Sequence, residues 1–69
     1  MKQKLKEGDV VMILPHEWKS TAKRIGEIGL VANIILSPTV GYIYVVKFSH
    51  DPLDWNYLFT NQLFKIGTL

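Results

Sequence analysis

Two histidines, His16 and His50, and the adjacent pair His50-Asp51 are the residues of this 69-residue chain best suited to proton transfer or metal binding. Either chemistry needs side chains that converge on one atom. Neighbouring residues on a turn rarely converge, and no third ligand stands at a useful spacing from His50-Asp51. The chain has no cysteine, so it offers no thiolate ligand and no disulfide. Gly26-Glu27-Ile28-Gly29 leads into an apolar, strand-like run and not into a helix N-terminus, so it is not a phosphate-binding loop. Both histidines read as loop residues. The expectation is a protein with no catalytic residues, no metal and no cofactor, and therefore not an enzyme.

The side chains left with something to do are aromatic and basic. Eight aromatics, Trp18, Tyr42, Tyr44, Phe48, Trp55, Tyr57, Phe59 and Phe64, are more than a small core can hide. Lys19, Lys23 and Arg24 fall in one segment beside Trp18. Charge is unevenly spread: residues 1–24 carry a net +3 and residues 25–69 a net −1, giving +2 overall. Cations beside exposed aromatics can meet a phosphate backbone by ion pairing and stacking, or an acidic protein surface. The same cations are equally ordinary on a solvated loop. Trp18 either closes over one end of the fold as a lid or contacts a partner, since large aromatics are mostly buried.

These residues must be positioned by a small fold. A chain of this length buries only about 60% of its unfolded surface and makes one domain. At 48% hydrophobic the composition argues against disorder. Strand signals dominate. The first strand is Val10–Leu14, opened by Gly8-Asp9 and stopped by Pro15. A long polar loop runs from His16 to Glu27, with Glu17–Ile28 the one stretch able to make a turn or two of helix. Ile28–Leu36, Tyr42–Ser49 and about Asp54–Phe59 follow as strands, separated by turns at Ser37–Gly41 and His50–Pro52. Thr60-Asn61-Gln62 reads as a 3-10 turn, and Leu63–Ile66 as a last strand ended by Gly67. Five short strands without staples fit a closed all-β barrel, because closure removes exposed edges. The domain is expected to span residues 1–69, with residues 1–7 as a basic N-terminal tail.

Two resemblances bear on this. Gly8-Asp9-Val10-Val11-Met12-Ile13, a loop, and Gly26-x-x-Gly29-x-Val31 resemble the KOW motif of NusG-type transcription factors and some ribosomal proteins. Val11-x-Ile13-Leu14-x-x-Glu17-Trp18, Gly29-x-Val31-Ala32 and Tyr44-Val45-Val46-Lys47-Phe48 resemble, more loosely, the E subunit of photosystem I and the related S subunit of the cyanobacterial NDH-1 complex. The spacing from Leu58 to Leu63 is similar to SH3 domains, where two core aliphatics flank a 3-10 turn. Together they imply an SH3-like barrel that docks on a larger protein assembly, or else a KOW-type nucleic-acid-binding module. Fold similarity alone does not choose between them.

Strand alternation puts Tyr44, Val46 and Phe48 on one face of the third strand, away from Lys47. On the fourth strand it groups Trp55, Tyr57 and Phe59 opposite Asn56 and Leu58. The pattern alone buries the three aromatics; the resemblance buries Leu58 and turns them outward as a ledge. A one-residue slip separates the two outcomes. The candidate partner-binding residues are accordingly Trp18, Lys19, Lys23, Arg24, Trp55, Tyr57 and Phe59. A protein partner is expected first and nucleic acid second. No apolar run is long enough to span a membrane, nor does a secretory-type apolar segment follow the N-terminal lysines, so the expected location is the cytoplasm.

Overall fold

The computed structural model describes residues 5–69. The chain is all-β, with strands β1 (Asp9–Ile13), β2 (Ile28–Ser37), β3 (Gly41–Lys47), β4 (Trp55–Phe59) and β5 (Leu63–Thr68). One antiparallel sheet runs in the order β4-β3-β2-β1-β5. The expected five-stranded, small β-barrel-like architecture, with a long first loop and a 3-10 turn before the last strand, is the one adopted. Its radius of gyration, 11.1 Å, matches the roughly 11 Å of a compact chain this long.

The curl of the sheet comes from β2. Its first residues pair with β1 and its later ones only with β3. Between these halves the register slips from Val31↔Val46 to Asn33↔Val45, leaving Ala32 as an extra residue. Such a bulge bends a strand and sharpens its twist. The inner face that results collects Val11, Ile13, Val31, Val46, Leu58 and Leu63, each at most 1% exposed, with Tyr44 at 4%. Ile34 and Phe48 pack at the margin of this core, so Phe48 is half-buried.

Gly26 and Gly29 do different jobs. Gly26 has φ +86°, a conformation that closes the first loop, and its N–H reaches the Ile13 carbonyl at 2.8 Å. Gly29 has no such φ. It is buried where a side chain does not fit: a Cβ there would stand 2.5 Å from Val46 Cγ1 and 3.0 Å from the Lys47 carbonyl oxygen.

Several boundaries move. The third strand stops at Lys47, although the Phe48 N–H still bonds the Asp54 carbonyl at 3.0 Å. The last strand runs through Gly67 to Thr68, since pairing with Val10 and Asp9 carries it past the glycine. Within the expected N-terminal tail, Leu5 is a core residue at 7% exposure and the Lys6 N–H donates to the Asp9 carboxylate at 2.8 Å. Asp9 is itself 1% exposed and also faces Lys65 Nζ at 3.5 Å. The part of that tail formed by residues 1–4, with Lys2 and Lys4, lies outside the described residues.

Candidate functional site: an aromatic groove

The fourth-strand register decides what is on the surface. Tyr44 faces Leu58 across β3 and β4, and Leu58 is fully buried. Burial of Trp55, Tyr57 and Phe59 as a set, which alternation alone would give, is therefore corrected. Leu58 joins Tyr44, Val46 and Leu63 in the buried cluster, and the alternating residues of β4 then face the other way. Tyr57 is 54% exposed, while Trp55 and Phe59 are half-buried. Cross-strand pairing aligns Ile35, Ile43 and Phe59 in one outward row and Asn33, Val45 and Tyr57 in the next. Trp55 and Tyr57 stack edge to face on that outer surface, with centroids 4.8 Å apart.

Phe59 reaches a different surface, because the chain turns there. The 3-10 turn Thr60–Gln62 follows at once. Gln62, 3% exposed, accepts the Phe59 N–H on its side-chain oxygen at 2.8 Å. Its backbone carbonyl accepts the Leu14 N–H, also at 2.8 Å. One buried residue thus fixes the end of β4 against the start of the first loop. That loop brings Trp18 to Phe59, with ring centroids 5.3 Å apart at 53°.

The third wall is the β2–β3 hairpin. Ser37 Oγ accepts the N–H groups of Thr39 and Val40, at 3.3 and 3.4 Å, and Gly41 turns the chain with φ +83°. Tyr42 and Tyr44 follow, their rings 6.4 Å apart, and Thr60 Oγ1 donates to the Tyr44 hydroxyl at 3.5 Å. Together these elements enclose an open groove of about 1630 Å³. Trp18, Tyr42, Tyr44, Phe59 and Phe64 supply its rings, and Lys6 is the one charged side chain lining it among the described residues. A surface of this kind can take up apolar side chains and hydrogen-bond an extended backbone through tyrosine hydroxyl and amide groups.

Trp18 does not close the barrel as a lid. It is 57% exposed and lies along the groove. The basic set also divides. Lys19 and Lys23 are exposed, but Arg24 is only 19% exposed at its side chain and is held by both Glu27, at 3.0 Å, and Asp54. Its guanidinium lies 4.3 Å from the centre of the Phe48 ring, a cation–π contact. The hydrogen bond to Glu27, helped by Asp54 against desolvation, holds the Arg24 pKa above its ordinary value. A hydrogen bond from Ser49, then one from Arg24, holds the Asp54 carboxyl below the usual carboxylate range. Arg24 therefore pins the first loop to the start of β4 and is not a freely presented cation.

The structure thus brings Trp18 and Phe59 together in the groove, while Trp55 and Tyr57 lie on the outer sheet face. Sequence reasoning missed Tyr42 and Phe64 as groove residues, and Gln62 as the buried residue that fixes Phe59 beside them. Tyr42 could have been found from its alternation with Tyr44 beside the Ser37–Gly41 turn. Gln62 carries no pattern signal, since its role depends on a hydrogen bond across the 3-10 turn.

His50 lies apart from the groove. It lines a shallower hollow of about 410 Å³ beside Val10, Leu30 and Lys47. Among the described residues no cluster of three or more histidine, cysteine or acidic side chains could hold a metal ion. No helix among them is long and apolar enough to cross a membrane. Comparison with protein-family models, with curated proteins and with solved structures gives no match to this chain.

Proposed function

We propose that this chain is a non-enzymatic docking module that receives an extended segment of a protein partner in the aromatic groove. The observation that carries this reading is the groove itself: five aromatic side chains from three separate chain segments, of which Trp18, Tyr42 and Phe64 are each at least half exposed. The largest contiguous apolar patch of a small monomer is often functional. The resemblance to SH3-like barrels supports the same reading, because those domains commonly bind peptides beside the 3-10 turn. The KOW-type alternative draws support from the exposed Lys19 and Lys23 and from the N-terminal lysines, whereas Arg24 is engaged by two carboxylates.

Retention experiments separate the two. Immobilised protein is exposed to lysate with and without nuclease, beside a Trp18→Ala/Tyr42→Ala variant. The docking reading expects protein partners that persist after nuclease and fall away with the double variant. Loss of partners on nuclease treatment, with retention that falls by about one log unit per log unit of salt for each phosphate contacted, would establish the nucleic-acid reading instead.

A further inference from the structure

We propose that His16 is a pH-sensitive latch on the groove, neutral when it holds Trp18 in place and released by protonation. The inference concerns regulation of the site just described, and its use to the protein rests on that docking reading.

Hydrogen bonding fixes the state of the ring. His16 Nδ1 stands 3.1 Å from the Trp18 backbone nitrogen. An amide N–H only donates, so Nδ1 must present its lone pair. The ring proton of the neutral imidazole is then on Nε2, which donates to Thr21 Oγ1 at 3.2 Å. Thr21 is 4% exposed, and its N–H bonds the Trp18 carbonyl at 3.3 Å. One neutral ring thus stitches the residue that carries the groove's tryptophan to a buried anchor three positions on.

Protonation changes one of those two bonds. The Thr21 bond survives, because Nε2 keeps its hydrogen. Nδ1 gains a hydrogen aimed at the Trp18 N–H, and two donors face each other where a bond was. Besides that bond Trp18 keeps its carbonyl bond from the Thr21 N–H and its ring contact with Phe59, and its side chain is 57% exposed. Neither hydrogen-bond partner of the ring offsets the new charge. Both ring partners of His16 are uncharged, and among the described residues no carboxylate lies within ion-pair distance of it. The loop's own Glu17, Lys19 and Lys23 are exposed. The Thr60–Gln62 turn against which the loop starts has no ionisable side chain. Arg24 is bound to Glu27 and Asp54, and Lys65 on β5 faces Asp9.

The test uses a Trp55→Phe variant, which leaves Trp18 as the only tryptophan. Its emission and acrylamide quenching are followed between about pH 8 and 5, the range in which histidine ionises. The His16 ring protons and far-ultraviolet circular dichroism are recorded alongside. The expected result is a red shift and greater quenching that track the His16 titration while the β-sheet signal holds. Adding His16→Gln should leave emission independent of pH. Should the Trp55→Phe chain fold poorly, the Trp18 amide resonance of the ¹⁵N-labelled wild type gives the same readout. Emission or amide shifts that stay constant while His16 titrates would overturn the latch, as would a ring that stays neutral to pH 5. So would a transition that survives His16→Gln or is removed by His50→Gln. Because no partner is present, the outcome is independent of whether the groove captures one.

Discussion

Truncating Leu58 and Tyr57 in turn tests the register that puts the aromatics on the surface. The two residues are neighbours on β4, and a one-residue slip exchanges their faces. Leu58 is fully buried opposite Tyr44, so Leu58→Ala loses its transfer energy and leaves a cavity beside Val46 and Leu63. The expected cost is about 3 kcal/mol, within the ~2–5 kcal/mol seen for buried leucines. For a domain of this size that lowers the melting temperature by roughly 12–24 °C, at about 4–8 °C per kcal/mol. Tyr57 is 54% exposed and loses mainly its edge contact with Trp55. Tyr57→Ala should therefore cost no more than about 1 kcal/mol, the scale of one aromatic pair. Urea unfolding followed by circular dichroism measures both. Equal losses, or a larger loss for Tyr57→Ala, would refute the register and return the ledge to the core.

Other expectations follow from the same geometry. Gly29→Ala forces a Cβ against Val46 Cγ1 and should cost about 1–3 kcal/mol of unfolding free energy. Gly67→Ala, with no neighbouring atom in reach and no left-handed φ, should stay within about 0.5 kcal/mol of wild type. Gln62→Leu strips the Phe59 N–H of its acceptor; a loss of about 1–3 kcal/mol and a displaced Trp18–Phe59 contact are expected, read by denaturation and by Trp18 emission in the Trp55→Phe background. Asp54 has a lowered pKa, so its stabilising effect is complete above the ordinary carboxylate value and is lost as pH falls through the depressed one. The stability gap between wild type and Asp54→Asn, measured by urea midpoints, should accordingly be widest near neutral pH and close on acidification.

The barrel was legible because its strands are short, apolar and bounded by turn residues. Val10–Leu14, Ile28–Leu36 and Tyr42–Ser49 each lie within two residues of an observed strand boundary, and Thr60–Gln62 is the 3-10 turn. What pattern could not decide was a choice of face. On β4, both Leu58 and the three aromatics are hydrophobic, so alternation and the SH3-like resemblance point to opposite faces, and only the cross-strand partner Tyr44 chooses between them. Arg24 shows a second limit. As one of three cations in a loop it reads as presented charge, yet Asp54, thirty residues on, captures it. The groove itself was half visible. Trp18 and Phe59 were expected to matter, but their meeting depends on Gln62 and His16, whose hydrogen bonds leave no periodic trace in a sequence.

The central claim is that the groove is where a protein partner docks. Photo-crosslinking from a benzophenone side chain at position 42 tests it most directly, because Tyr42 lines the groove and is 54% exposed. A matched probe at Leu53, 83% exposed and outside the groove, serves as reference. The docking account predicts a discrete, nuclease-resistant protein adduct from position 42 that is absent from position 53 and lost with Trp18→Ala. The same adducts from both positions, or nucleic acid alone from position 42, would contradict it.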